Sequence, residues 1–164
     1  MLNSKMETAL NQQVNAELWS SYLYLSMSYD MGNKGYDGMA SWFAQQAKEE
    51  YKHAARFMKF IGEMDGKVAL MPIKEVKQTW NMPIDAFEET LKHEKIITEK
   101  IYKLMDLAIE LKDYATQSML KWFVDEQVEE EESSRKILDK LKKIDNSQNG
   151  LFALDKLLGK RGEN

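Results

Sequence analysis

The scarcity of helix-breaking residues over four long stretches is the strongest constraint on the fold of this chain. The 164 residues include only 8 Gly and 2 Pro, and both prolines lie in one irregular stretch, about Asp65 to Pro83. Within the four stretches, apolar residues recur at spacings of three and four, which is the period of an amphipathic helix. We therefore expect residues 1–164 to form a single all-α domain.

Capping residues and glycines set the expected helix bounds. Asn3 or Ser4 can cap a first helix that runs to about Met31, just before Gly32 and Gly35. The other long helices are expected at about 38–63, 85–111 and 114–144. The polar run 145–150 is predicted to be a loop. A short amphipathic helix is expected after it, followed by a polar tail. The apolar residues of this helix are Leu151, Phe152, Leu154, Leu157 and Leu158.

Connection lengths predict how the long helices are arranged. The first two helices are joined by about six residues and the last two by fewer, so each pair is expected to form an antiparallel hairpin. A helix of about 27 residues is about 40 Å long, and about 18 extended residues can span about 60 Å. The middle connection can therefore cross the whole bundle and leave the second and third helices parallel. This connectivity describes a four-helix bundle with one long crossover.

Acidic residues interrupt the apolar stripes at regularly spaced positions. Glu17, Glu50 and His53 are matched by Glu94, Gln127 and Glu130, each 77 residues later (17 and 94, 50 and 127, 53 and 130). An i, i+3 pair projects from one helix face, so both halves present the same arrangement. Two helices that give one Glu each, with i, i+3 pairs on the other two, are typical of dinuclear carboxylate centres.

Several buried carboxylates need a neutralising partner. Any one of them could be a structural group bonded to a tyrosine or to water. Burying several together, however, costs several kcal/mol for each carboxylate unless protons or cations neutralise the charge. Lys and Arg are largely absent from these stripes, which favours a metal site. Mostly carboxylate ligands with one imidazole suit iron or manganese, with iron preferred. We expect His93, about 100° around the helix from Glu94, to be solvated or at the bundle edge.

Composition excludes several classes of function. The net charge is −4 and the pI is about 5.3, so no basic stripe is available for nucleic acid. Cysteine is absent, which excludes thiolate metal sites, disulfides and thiol catalysis. The first residues do not resemble a signal peptide, and no run of eighteen apolar residues occurs. We expect a cytoplasmic protein that binds neither nucleic acid nor membrane.

Four sequence motifs resemble those of bacterial and archaeal non-haem ferritins over essentially the whole chain. They are Asn15-Ala16-Glu17-Leu18-Trp19-Ser20-Ser21-Tyr22-Leu23-Tyr24, Glu49-Glu50-Tyr51-Lys52-His53-Ala54, Lys92-His93-Glu94, and Trp122-Phe123-Val124-Asp125-Glu126-Gln127-Val128-Glu129-Glu130. The resemblance implies a ferritin-like fold, a 24-subunit homo-oligomeric cage, and storage of a ferric mineral. It also implies ferroxidase activity, the oxidation of Fe(II) by O2 or H2O2.

The resemblance also implies a role for each site residue. Glu17, Glu50 and His53 would bind one iron, and Glu50 would bridge to a second iron held with Glu94 and Glu130. Gln127 would take the nearby position that contacts bound oxygen or water. Tyr24 would donate an electron or a hydrogen bond, although core packing explains a tyrosine there equally well.

The resemblance further implies a third iron position. In bacterial ferritins it is lined by residues that match Glu49, Glu126, Glu129 and Glu130 in this chain. The acidic run 129–132 could equally form a solvated helix face.

Departures from related families narrow the prediction. Gln127 and Glu130 stand where bacterioferritins repeat Glu-x-x-His, and the second helix has Tyr51 and Lys52 where bacterioferritins begin the motif with a haem-ligating methionine, so no haem is expected. A rubrerythrin-type peroxidase would normally add a cysteine-rich domain, and a DNA-protecting mini-ferritin often carries a basic tail. A purely structural bundle would have no reason to bury the six site residues. The short fifth helix could contact a neighbouring subunit or fold back on its own bundle.

Overall fold

The computed structural model describes residues 2–145 and 147–161. Across these residues the chain forms five helices and no strand. They are α1 (Ser4–Asn33), α2 (Asp37–Glu63), α3 (Pro83–Glu110), α4 (Tyr114–Ile144) and α5 (Gln148–Leu158). The helices α1 and α2 pack as one hairpin, and α3 and α4 as another. The predicted all-α bundle with one long crossover and a short fifth helix is therefore confirmed.

Two of the predicted helix starts differ from the structure. α3 begins at Pro83 rather than near Asp85, because proline is tolerated in the first turn and the Asp85 carboxylate accepts the Met82 N–H at 2.9 Å. α5 begins inside the predicted loop, where Ser147 Oγ accepts the Gly150 N–H at 3.3 Å. The part of that loop prediction concerning residue 146, and the end of the polar tail, lie outside the described residues.

Side chains of α1 hold the crossover against the bundle. At one end, the Glu7 carboxylate accepts the Lys67 N–H at 3.1 Å, and at the other Asp30 accepts the Trp80 N–H at 2.9 Å. The crossover thus follows α1 from its first turns to its last, and α3 starts at the same end of the bundle as α2. The two helices are parallel, as the connection lengths predict. Further α1 side chains that bond to crossover backbone atoms are Asn11, Asn15 and Ser26.

The apolar core consists of two clusters separated by a polar layer. One cluster includes Met31, Phe43 and Phe87, and the other includes Leu10 and Phe57. Neither cluster has a buried member between Val14 and Leu23 of α1, where Glu17 lies, and each of the other long helices has a similar gap at its own site residues. Both ends of the bundle are therefore stabilised by apolar burial, while the layer between them holds polar side chains.

The short helix α5 packs against its own bundle. Its side chains Leu151, Leu154 and Leu158 are buried, and the Asp155 carboxylate accepts the Gly38 and Met39 N–H groups at 3.1 and 2.8 Å. Gly38 makes this approach possible, because a Cβ there would lie 1.8 Å from the Asp155 carbonyl oxygen. Two large apolar side chains of the helix remain exposed, Phe152 and Leu157.

No helix in the described ranges combines the length and the apolar character needed to cross a bilayer.

A candidate dinuclear metal centre

The polar layer brings together residues from all four long helices. α1 supplies Glu17, α2 supplies Glu50 and His53, and α3 supplies Glu94. The last two members, from α4, are Gln127 and Glu130. Each of the six side chains is at most 6% exposed. All six side chains therefore lie inside the bundle, on the helix faces that the helical period predicts.

The half of the site on α1 and α2 contains an unpaired carboxylate oxygen. Glu17, Glu50 and His53 each offer a ligand atom, and these atoms lie within 4.8 Å of one another. Gln13 Nε2 donates to Glu17 Oε1 at 2.7 Å, but Glu17 Oε2 is buried without a hydrogen-bond partner. His53 Nδ1 lies 3.3 Å from Glu50 Oε2. Oxygen and nitrogen atoms so grouped are suitable ligands for a divalent cation.

The half on α3 and α4 is held together by hydrogen bonds to Glu94. The Tyr24 hydroxyl donates to Glu94 Oε1, and Gln127 Nε2 donates to Glu94 Oε2 at 3.2 Å. Glu130 belongs to a second group of ligand atoms within 4.8 Å of one another, together with His53 and Glu126. The structure therefore connects the two halves of the layer through His53.

A glutamine outside the predicted set of site residues, Gln46, links two of the acids. Gln46 Nε2 donates to Glu50 Oε1 at 3.2 Å and to Glu130 Oε2 at 2.8 Å. A signal for it exists in the sequence, because Gln13 and Gln46 are separated by 33 residues (13 and 46), as are Glu17 and Glu50 (17 and 50). Both glutamines lie one turn before an acid of the site, and both donate to it.

Burial raises the pKa of every acid in the layer. The pKa of Glu94 and of Glu130 is raised to about 7 by loss of solvent, with a further increase from neighbouring carboxylates. The pKa values of Glu17 and Glu50 are raised well above the ordinary range for the same reasons. Among the described residues no Lys or Arg is buried, so only protons or bound cations can neutralise these groups.

Tyr24 both packs in the core and donates a hydrogen bond to an acid of the site. It is fully buried and stacks against Phe43 with ring centroids 6.2 Å apart, which is core packing. Its hydroxyl also donates to Glu94. Burial, followed by repulsion from nearby carboxylates, raises the pKa of Tyr24 well above its ordinary value, so it stays protonated and remains a donor at neutral pH.

The residues expected at a third metal position are only partly assembled. Glu126 Oε1 lies 3.8 Å from His53 Nε2, and the side chain is 25% exposed. Glu49 is instead paired with Arg161 at 2.6 Å, and Glu129 is exposed. The described geometry thus groups Glu126 and Glu130 and leaves the other two outside that group.

Of the two expectations for His93, a solvated side chain or one at the bundle edge, the structure contradicts the first. The side chain is 8% exposed, its Nε2 lies 2.7 Å from Ser20 Oγ, and its ring centroid lies 5.2 Å from that of Trp19. Burial lowers the pKa of His93 to about 4, so the imidazole is neutral. The angular offset from Glu94 correctly separates His93 from the acids, but it does not reveal that α1 covers it.

Comparison with known proteins identifies the family. The ferritin-like domain of the Ferritin family matches residues 7–144. The bacterial non-heme ferritin of Bacteroides fragilis is 38% identical over 161 residues, covering 98% of this chain and 100% of that protein. That of Campylobacter jejuni is 37% identical over 158 residues, covering 96% and 95%. The solved open-pore ferritin from the hyperthermophilic archaeon Archaeoglobus fulgidus has a TM-score of 0.97 and 40% identity, covering 98% of this chain and 99% of that one. The chain belongs to the ferritin family.

Proposed function

We propose that this protein stores iron and oxidises Fe(II) to Fe(III) at a dinuclear site within each subunit. The observation that carries the proposal is the meeting of four buried glutamates, one from each long helix, with one histidine and no buried cationic side chain among the described residues. Removing four carboxylates from water is unfavourable unless their charge is compensated. Two divalent ions would supply that compensation.

The proposed iron ligands follow the grouping of the side chains. Glu17, Glu50 and His53 bind one Fe(II), which the mutual approach of their ligand atoms within 4.8 Å supports. Glu94 and Glu130 bind the second, and Glu50 bridges the two. Gln127 is a weak neutral ligand or a partner for oxygen, and its 2% exposure supports a place inside the site.

Carboxylate ligands suit the oxidation because anionic oxygen stabilises Fe(III) more than Fe(II). Two Fe(II) ions deliver two electrons to one O2, which with two protons becomes H2O2; H2O2 can itself serve as the oxidant. Product must then leave the site. A neutral Gln127 in place of a fifth carboxylate would weaken the hold on Fe(III) and favour release.

Two further assignments belong to the same proposal. Tyr24 acts in the reaction by keeping its hydrogen bond to Glu94 and as a source of an electron, which its position beside the site supports. A third iron position involves Glu126, Glu130, Glu49 and Glu129, and requires Glu49 to leave Arg161. Release of that ion pair on metal binding costs little, because the Glu49 side chain is 39% exposed.

Storage requires a compartment, and we propose a 24-subunit cage that holds a ferric oxide-hydroxide mineral without haem. The names of the relatives as ferritins support this assembly. On α5, Phe152 and Leu157 are 59% and 50% exposed, and contact with another subunit would bury them. We propose a cytoplasmic location.

The decisive experiment adds two Fe(II) per chain to metal-free protein in aerated buffer. Oxygen uptake and the absorbance of ferric product are followed together. Fast uptake that saturates near two irons per chain supports the dinuclear site, whereas uptake no faster than in buffer would contradict it.

Variants connect that activity to the site. Glu17→Ala and Glu50→Ala are expected to abolish fast oxidation while leaving helical content unchanged. The exposed Glu132→Ala, which removes the same charge away from the site, is the matched control and is expected to behave like wild type. Normal kinetics in either site variant would refute the ligand assignment.

A further inference from the structure

The amide of Gln127 is held in one orientation by its neighbours. Its Nε2 lies 3.2 Å from the Glu94 backbone oxygen, 3.2 Å from Glu94 Oε2 and 3.3 Å from Thr98 Oγ1. A backbone oxygen can only accept, so this edge of the amide must be the nitrogen. The opposite edge, Oε1, is the part of the group that remains for a cation.

Thr98 receives this hydrogen bond because its own proton is used elsewhere. Thr98 Oγ1 lies 2.7 Å from Glu131 Oε1 and 3.0 Å from the Glu94 backbone oxygen, and both of these atoms accept. A hydroxyl has one proton, and the contact with the carboxylate is the shorter and stronger of the two. With the proton directed to Glu131, a lone pair of Thr98 Oγ1 is left for Gln127.

Glu131 is itself fixed at the edge of the site. Its side chain is 20% exposed, and Oε2 lies 3.8 Å from Nη2 of Arg135. It lines a cleft between α3 and α4 whose walls also include Thr98 and Gln127. The contacts therefore form a continuous path from a half-buried carboxylate to the amide in the polar layer.

We propose that Thr98 and Glu131 are positioning residues that keep Gln127 Oε1 directed at the second iron. The inference deepens the function proposed above and rests on it. Without Thr98 Oγ1 the amide loses one of the three acceptors around Nε2. It can then turn its N–H groups toward the cation, which replaces an attractive oxygen with a repulsive donor.

Redox-inert Co(II), titrated anaerobically, tests the inference without turnover. Binding is measured by calorimetry and by the visible absorption bands of Co(II), which report its coordination. Wild type is expected to bind two Co(II) per chain. Thr98→Val keeps the shape of the side chain but removes its hydroxyl. It is expected to lower the affinity for the second Co(II) about tenfold and to change the absorption bands of that ion. Thr98→Ser, which restores a hydroxyl, is expected to bind nearly like wild type.

A double-variant cycle separates positioning from a general structural effect. If Thr98 acts through Gln127, adding Thr98→Val to the Gln127→Leu variant causes no further loss of Co(II) affinity. Glu131→Ala is also expected to lower the affinity for the second Co(II), as Thr98→Val does. Glu132→Ala, the charge-matched control, is expected to leave this affinity unchanged. In oxidation assays the Thr98→Val variant is expected to raise the KM for Fe(II) more than it lowers kcat.

Two results would overturn the inference alone. One is Thr98→Val binding both Co(II) ions like wild type while Gln127→Leu weakens the second. The other is an equal loss from Thr98→Val in the presence and absence of Gln127, which indicates a general effect on packing. Failure of the wild type to bind two Co(II) would instead overturn the dinuclear site, and the positioning role with it.

Discussion

The metal-free protein is expected to lose stability as pH rises, because its buried acids retain protons that the unfolded chain gives up. An unfolded glutamate titrates near 4.5, whereas in the fold the pKa of Glu94 is raised to about 7, chiefly by burial. Between these values the native state binds more protons than the unfolded state. The stabilisation is complete below the unfolded pKa and is lost as pH rises through about 7.

The structure gives the size of this effect. For Glu94, the difference between 4.5 and about 7 corresponds to about 3 kcal/mol at full deprotonation. In a chain of this length that amounts to a change of about 6–12 °C in the thermal midpoint. Glu130 adds to the effect, but not independently, because the two carboxylates repel each other.

Thermal unfolding of chelator-treated protein at pH 5, 6, 7 and 8 measures the slope. The oligomeric state is checked at each pH so that dissociation is not mistaken for unfolding. Glu94→Gln removes the ionisation and is expected to flatten the slope and to raise the midpoint at pH 8 above that of wild type. Glu132→Gln, at an exposed position, is expected to leave the slope unchanged.

Either of two results would refute the reasoning. A wild-type midpoint that stays constant or rises between pH 5 and pH 8 would show that the acids are not protonated in the metal-free fold. A Glu94→Gln variant with the wild-type slope would show that this carboxylate does not carry the dependence.

Three further outcomes follow from particular contacts. Tyr24→Phe removes the hydrogen bond that lowers the pKa of Glu94, so the pH midpoint of Zn(II) binding should move upward; an unchanged midpoint in competition titrations contradicts this. Asp155→Ala removes the cap of two N–H groups at the start of α2, which costs about 1 kcal/mol and should speed hydrogen exchange in α5. Phe57→Ala removes a ring stacked on Phe123 at 4.1 Å and should lower the free energy of unfolding, measured in denaturant, by about 3–5 kcal/mol.

The fold could be predicted to within a few residues because its signals are local. Helix period and the positions of Gly and Pro determine where α1 to α4 lie, and connection lengths determine their order. The prediction was wrong at the starts of α3 and α5. There single hydrogen bonds, from the Met82 N–H to the Asp85 carboxylate and from the Gly150 N–H to Ser147 Oγ, bring residues that usually end helices into the first turn.

For the candidate site, the sequence predicts which acids face inward but not the contacts that these acids make between helices. Periodicity tells which face a residue occupies but not which group of another helix it meets, so the Gln46 bridge and the burial of His93 were missed. The separation of 33 residues recurs at a further pair of contacting residues. It relates Thr98 to Glu131 (98 and 131) as it relates Glu94 to Gln127 (94 and 127), and both pairs are in contact.

The crossover has a consequence for the order in which the site is completed. Each helical hairpin carries half of the proposed ligands, and α1 and α2 can pair before α3 is in place, because only a short loop joins them. The two halves of the site come together only where the hairpins pack against each other, and that packing places the acids of both hairpins in one buried layer. Two fragments produced by cleavage within the crossover would each hold an incomplete site, so recovery of two-ion binding on mixing them would report their reassociation.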